Sequence, residues 1–263
     1  MKVKKAIVIV SVGTCRIEAL LHTTMKFIQK AEDEFPEYQV YQAFSNPRIL
    51  HKMKEKKTDF FSIPEIFTRM ANEKIEEVVV QPTYLLNGLE NDRMLEQIAE
   101  YREQFPDIRI GKPLLSANED YRKTLEAVFS EITLEEEEAL VLIGHGTNHV
   151  SNLAYRKLED TAHEMGLANV FVGTMEEPQS KQWITEKLKA YGYRKVLLMP
   201  LLYTAGTHMK RDLIEGKDSW MRVLTESGYE TAMVEKGLGE LEGIQRIFTE
   251  HLESQMKEKG AGK

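Results

Sequence analysis

Two stretches decide the fold when laid side by side: Ala6-Ile-Val-Ile-Val-Ser-Val-Gly13-Thr14 and Ala139-Leu-Val-Leu-Ile-Gly-His-Gly146-Thr147. Each is a short apolar run passing through small residues into a Gly-Thr turn, the pattern of a strand covered on both faces. A second match follows in both halves. Val78-Val-Val-Gln-Pro82 leads to Asn87-Gly88, and Val196-Leu-Leu-Met-Pro200 leads to Ala205-Gly206. The first match is offset by 133 residues (Ala6 to Ala139) and the second by 118 (Val78 to Val196), and their order is conserved between the halves. Self-similarity of this kind predicts a duplicated unit.

Working outward, strands are predicted at Ala6–Val10, Gln39–Phe44, Val78–Gln81, Ile108–Lys112, Ala139–Ile143, Val170–Thr174, Val196–Met199 and Thr231–Val234. Helical periodicity lies between them, at Ile17–Glu32, Asn91–Phe105 and Gln179–Tyr191. Ser62 followed by Pro64 and Glu65 is a capping-box start for a further helix over Pro64–Lys74. Strands alternating with helices predict an α/β fold of two similar lobes, each a parallel sheet flanked by helices. The lobes are placed at residues 1–134 and 135–263, a division compatible with helix exchange between them, and the acidic run Glu135–Glu138 reads as a solvated linker. Ligands of such folds bind outside the carboxyl ends of the strands, so the cleft between the lobes is the expected site.

Composition bounds the function. At 263 residues the chain has room for two lobes of about 130 residues each. Its net charge of −7 argues against nonspecific nucleic-acid binding, which needs a surplus of Lys and Arg. The single cysteine, Cys15, cannot form an internal disulfide, as expected of a reducing compartment. Lys2, Lys4 and Lys5 before Ala6–Val10 have the outline of a signal peptide, but the apolar run is too short. No stretch approaches the ~18 apolar residues of a membrane helix. A cytoplasmic protein with no membrane partner is expected, and nothing argues against a homo-oligomer.

The chemistry lies where the repeats differ. The second half carries His145 where the first has Val12, and His208 two residues after Gly206 where the first has Glu90 two residues after Gly88. Two imidazoles thus stand at equivalent strand ends among small residues, able to ligate a borderline metal and to accept a proton. Glu176, after the strand Val170–Thr174, could add an oxygen ligand, with Glu177 beside it as competitor. His149 follows His145 by four residues, but the intervening Gly-Thr-Asn is not the glutamate-bearing helix of a zincin. His22, His51, His163 and His251 fall in charged helical stretches and read as surface residues.

Gly144-His145-Gly146, Glu176 within Val-Gly-Thr-Met-Glu, and Met199-Pro200-Leu-Leu followed by Ala205-Gly206-Thr-His208 resemble the anaerobic sirohydrochlorin cobalt chelatases of the CbiK type. The N-terminal Val-Ser-Val-Gly-Thr, Asn87-Gly88-Leu-Glu90 and Asp218-Ser219-Trp220 are similar too, and the likeness runs from about Lys5 to Leu252. The resemblance implies two flavodoxin-like lobes of the class II chelatase type. It also implies an ATP-independent insertion of Co²⁺ into sirohydrochlorin or precorrin-2 in anaerobic cobalamin (vitamin B12) biosynthesis. Carried over by position, His145, Glu176 and His208 would hold the metal, and Glu90 would be a further catalytic acid of the cleft. Tyr84 is the departure, standing where the family pattern has a histidine.

Inserting a divalent ion into a macrocycle releases two pyrrole protons, so the site needs a base and ligands weak enough to let go. His and Glu satisfy both, whereas a Cys₄ cage would hold too tightly. The polycarboxylate substrate would meet backbone N–H groups near Gly13 and Gly146, the hydroxyls of Ser11, Thr14, Tyr84 and Thr147, and some of Arg48, Arg93, Lys210 and Arg211. A ferrochelatase-like or nickel-handling enzyme and a non-catalytic tetrapyrrole or metal carrier are the alternatives, since His and Glu accept several ions. There is no Gly-x-Gly-x-x-Gly and no Walker-type Gly-Lys-Ser/Thr, so no nucleotide cofactor is expected.

Overall fold

The computed structural model describes residues 3–55, 60–177, 179–206 and 210–258. Eight strands occur among them: β1 Lys5–Ser11, β2 Gln39–Phe44, β3 Glu77–Pro82, β4 Asp107–Ile110, β5 Glu138–Gly144, β6 Val170–Thr174, β7 Lys195–Pro200 and β8 Glu230–Met233. All eight fall on the predicted runs. They form two parallel four-stranded sheets of identical winding, β2-β1-β3-β4 and β6-β5-β7-β8. The helices are α1 Ile17–Leu20, α2 Lys26–Glu34, α3 Pro47–Glu55, α4 Ile63–Asn72, α5 Leu89–Ala99, α6 Asn118–Phe129, α7 Leu153–Glu164, α8 Ser180–Tyr191, α9 Trp220–Glu226 and α10 Glu242–Lys257. None of the described helices is long and apolar enough to cross a membrane.

The sequence repeat is a repeat of register. Ala6 pairs with Val78 in the first sheet and Ala139 with Val196 in the second, the same two positions that the sequence offsets align. The loops continue the correspondence. Thr83 donates to the Val10 carbonyl and Leu201 to that of Ile143, both at 2.8 Å, while Ser45 donates to Ser11 and Met175 to Gly144, both at 2.9 Å. Gly13 and Gly146 turn the chain at equivalent points with φ of 90° and 87°, a left-handed conformation that only glycine adopts without strain.

Each unit has its own core. In the first, Ala6, Val8 and Val10 pack with Ile63, Ile66, Phe67 and Met70 of α4 and with Met94 and Ile98 of α5. In the second, Ala139, Val141 and Ile143 pack with Ile184 and Leu188 of α8 and with Trp220 and Leu224 of α9. The alternate residues Ile7, Ile9, Leu140 and Leu142 are also fully buried, so both faces of each central strand are covered. That explains the continuous apolar runs, since each such aliphatic side chain contributes roughly 1.5–3 kcal/mol by leaving water.

The compact units are Met1–Ser116 with Ile244–Lys263, and Ala117–Gly243, rather than a cut at 134/135. Helix α6 packs on α7 in the second unit. The C-terminal helix packs in the first, where Phe248 meets Phe27 and Arg109 donates to the carbonyls of Gln255 and Met256.

Two helix expectations need adjustment. The stretch predicted as Asn91–Phe105 starts at Leu89 and ends at Ala99, followed by a 3₁₀ turn at Arg102–Gln104. Pro106 restricts Phe105 to extended backbone, so the helix cannot run to the predicted end. The stretch predicted as Ile17–Glu32 reaches Glu34 but is interrupted by a π turn at Leu21–Met25, where the Thr23 hydroxyl donates to the Ala19 carbonyl.

The capping box at Ser62 forms as its spacing predicts. The Glu65 amide donates to Ser62 Oγ at 3.4 Å, and Glu65 Oε2 accepts from the Ser62 amide at 2.7 Å. Lys54, 2.5 Å from Glu65 Oε1, and then the Ser62 amide hold the Glu65 carboxyl down to about 2. Because the folded-state value is depressed, this contribution to stability is complete above the ordinary carboxylate range and is lost as pH falls through it. Urea unfolding measured from pH 4.5 down to about 2 should therefore show a shallower loss of stability in Glu65→Gln than in the parent chain. Equal slopes would mean that the carboxylate is not held in this way.

Candidate functional site

The second unit builds the site from two neighbouring strand ends. β5 and β6 pair in parallel with Gly144 opposite Thr174, so the chain leaves both strands at one level. Met175 donates to the Gly144 carbonyl and Glu176 to that of His145, both at 2.9 Å, which zips the two departing loops together for two further residues. As a result His145 Nδ1 lies 3.2 Å from Glu176 Oε1, with both side chains more than half exposed, at 61% and 52%. The Gly146 carbonyl is 3.3 Å from the same nitrogen.

That separation suits either a proton or an ion. With Nδ1–H donating to Glu176, the Nε2 lone pair is free to bind a metal, an orientation that carboxylates commonly impose on ligating histidines. Two donors each ~2.0–2.1 Å from a single ion would stand about 2.8–3.4 Å apart at angles between right-angled and tetrahedral, so the pair could also grip one ion between them.

Glycine is required on both sides of His145. A Cβ on Gly144 would sit 2.2 Å from the Tyr155 ring, and one on Gly146 would crowd Thr174 and Glu176 at 3.1 and 3.2 Å. Tyr155, projecting from α7, is buried beneath the turn, and its hydroxyl accepts from the Gly146 amide at 3.4 Å. Burial pushes this hydroxyl up to about 12, partly offset by the amides of Gly146 and His145. Tyr155 therefore stays protonated and serves as a support for the turn.

The two adjacent glutamates have different fates. Glu177 Oε1 accepts from Asn152 Nδ2 at 2.6 Å, while Asn152 Oδ1 accepts from the Thr147 amide at 3.1 Å. Glu176 is thereby the carboxylate that faces His145. His149, four residues on, uses Nδ1 to accept the Ser151 amide at 3.1 Å and so caps the 3₁₀ turn Val150–Asn152.

Other predicted residues sit as follows. His208 lies outside the described residues. In the first unit Ser11 and Thr14 are buried, and Thr14 Oγ1 accepts the Arg16 amide at 3.2 Å. Val12, the counterpart of His145, is exposed beside Gly13, and Asn46, the counterpart of Glu176, caps α3 by accepting from the amides of Arg48 and Ile49 at 3.0 and 3.2 Å. Tyr84, 5% exposed, packs in the core of the first unit, where burial pushes its hydroxyl above the usual tyrosine range. Glu90 stands in the first turn of α5, paired with Arg93 at 3.0 Å.

The expected anion contacts are in part already used. The amides of Gly146 and Thr147 donate to Tyr155 and Asn152, Arg93 to Glu90, and Arg211 pairs with Asp212 at 2.8 Å. Arg48 is exposed, and Lys210 stands 3.9 Å from Glu235. His22, His51 and His163 are exposed as predicted, although His163 also reaches the Val170 carbonyl at 3.0 Å; His251 is half-buried, with Nδ1 3.0 Å from the Lys112 carbonyl. Among the described residues no three of His, Cys, Asp and Glu gather closely enough to hold an ion; of the three predicted ligands, the two described, His145 and Glu176, form a pair. Tyr155 and Asn152 were not marked by the sequence. Neither carries a motif, and their contacts depend on α7 folding back beneath the turn.

The family model described as Cobalt chelatase (CbiK) matches residues 5–257. The sirohydrochlorin cobaltochelatase of Salmonella typhimurium is 27% identical over 255 residues, covering 95% of each chain. The sirohydrochlorin cobaltochelatase CbiKC of Nitratidesulfovibrio vulgaris is 28% identical over 257 residues, covering 95% of this chain and 89% of the relative. In fold the chain is similar to SirB from Bacillus subtilis with Fe³⁺, at a TM-score of 0.71 and 16% identity over 96% of this chain and 95% of that one. It is likewise similar to the sirohydrochlorin chelatase SirB from Bacillus subtilis subspecies spizizenii in complex with cobalt, at 0.68 and 15% over 97% of each.

Gly144→Ala should drive a methyl group into the Tyr155 ring and destabilise the chain by roughly 1–3 kcal/mol, the range for overpacking a filled interior. Tyr155→Phe, which removes only the hydroxyl, should cost about 0.5–1.5 kcal/mol. Chemical denaturation of both variants is the check, and parent-like stability in Gly144→Ala would contradict the packing described.

Proposed function

The chain belongs to the cobalt chelatase (CbiK) family, and on that premise we propose that it is a sirohydrochlorin cobaltochelatase using His145 and Glu176 to hold Co²⁺ as substrate. The observation that carries the residue assignment is the exposed His145–Glu176 pair at the ends of β5 and β6. The names of both relatives favour cobalt and sirohydrochlorin over the ferrochelatase, nickel and non-catalytic readings. His208 is proposed as the third metal ligand and Glu90 as a further acidic group, on the resemblance of their motifs. The reaction is proposed to run without a nucleotide, in the cytoplasm.

The chemistry follows from the donor set. Neutral imidazole and carboxylate bind a divalent cation through N and O, yet an exposed grip by a few such donors is weak enough for release. As the pyrrole nitrogens take the ion, two N–H protons leave them. The imidazole and carboxylate that surrender the ion become free at that moment and can receive those protons. The pair therefore alternates between metal-holding and proton-holding states in one geometry.

His145→Ala and His208→Ala should each lower chelation by at least the about 10²–10⁴-fold of a lost general base, while His163→Ala should turn over like the parent chain. Steady-state assays with sirohydrochlorin and Co²⁺ test this, and equal rates in all three variants would rule out the assignment. Because a protonated imidazole cannot bind an ion, Co²⁺ and protons compete. Raising Co²⁺ should move the acid limb of the rate profile to lower pH, and a limb that stays fixed over a wide range of Co²⁺ would remove His145 from the ligand set.

A further inference from the structure

Two adjacent carboxylates, Glu176 and Glu177, leave β6 together, and one of them is taken out of play by a residue of another loop. Asn152 ends the 3₁₀ turn Val150–Asn152 and stands just before α7. Its Oδ1 accepts from the Thr147 amide at 3.1 Å, and its Nδ2 donates to Glu177 Oε1 at 2.6 Å. The chemistry of the partners fixes the orientation of this amide. A backbone N–H can only donate and an ionised carboxylate only accepts, so the oxygen must face Thr147 and the nitrogen Glu177. One side chain thus ties the loop that carries His145 to the loop that carries Glu176.

Asn152 is not there to cap α7. Its backbone is already helical, and its side chain makes no capping bond to that helix. Aspartate at this position could still accept from Thr147 but would set a second carboxylate against Glu177, and leucine would offer neither bond.

We propose that Asn152 is a positioning residue for the Co²⁺ site: by holding Glu177 against the β5 loop it leaves Glu176 as the carboxylate opposite His145. The inference rests on the reading of His145 and Glu176 as the Co²⁺-binding pair. Groups that orient metal ligands without touching the metal are commonly worth about 10–100-fold in affinity. When Asn152 is lost, Glu177 is free to swing toward His145 and compete with Glu176 for position, which blurs the site.

The test is Co²⁺ binding to the purified full chain, by titration calorimetry and by the visible absorption of the bound ion, with thermal unfolding recorded in parallel. Asn152→Leu should weaken Co²⁺ binding about 10-fold or more and change the absorption of bound Co²⁺. Glu177→Leu should bind within about threefold of the parent chain, since Glu176 remains. In the Glu177→Leu background Asn152→Leu should cost little, because no second carboxylate is left to restrain; such non-additivity marks residues acting on one another. A purely structural role would instead impose the same loss in both backgrounds, and that result overturns the proposal. Unchanged binding in Asn152→Leu, with binding still dependent on His145 and Glu176, overturns it alone. Unchanged binding in His145→Ala would overturn the underlying site reading and take this proposal with it.

Discussion

Parallel pairing of β5 with β6 is the constraint on which the site depends. A parallel ladder brings equivalent ends of two strands to one level, so whatever follows each strand emerges side by side. Here the ladder ends at Gly144 opposite Thr174 and is prolonged by the Met175 and Glu176 amides bonding back to Gly144 and His145. Once those bonds form, the side chains of His145 and Glu176 have little choice but to meet. Nothing in the imidazole or carboxylate itself brings them together from 31 positions apart in the chain.

The same ladder exists in the first unit with different chemistry. Ser45 bonds to Ser11 as Met175 does to Gly144, and Gly13 takes the same left-handed turn as Gly146. Yet the position of His145 is occupied by Val12, and that of Glu176 by Asn46, which caps α3. Backbone geometry is the same in the two units, while the proposed metal donors His145 and Glu176 stand in one of them. The scaffold's contribution is therefore the aligned loop ends, and the two units differ in the side chains set on them.

Exposure at the pair suits the role proposed for it. An ion that is to be handed on must reach its ligands and leave them, and burying a charged carboxylate beside an imidazole would cost desolvation that tight binding would then have to offset. The supporting groups are treated in the opposite way. Tyr155 is buried and Asn152 is half-buried, and each bonds to backbone or carboxylate atoms of the loops. Rigidity is thus supplied from beneath while the His145–Glu176 pair stays in water.

The sequence by itself determined the strands, the parallel α/β class, the repeat of the two units and the capping box at Ser62, because each is written in local period or in short-range hydrogen bonding. It also brought His145 to notice, since residues that differ between repeats stand out against those that do not, and Glu176 by its place just after the strand Val170–Thr174. Four things were decided only by tertiary structure: which of Glu176 and Glu177 faces the imidazole, that His149 serves as a cap, that Tyr84 is a core residue, and that α6 and the C-terminal helix fall in the units they do. Each depends on which segment packs beneath another. Such packing follows from the summed burial of many residues distant in sequence, and no single position carries a mark of it.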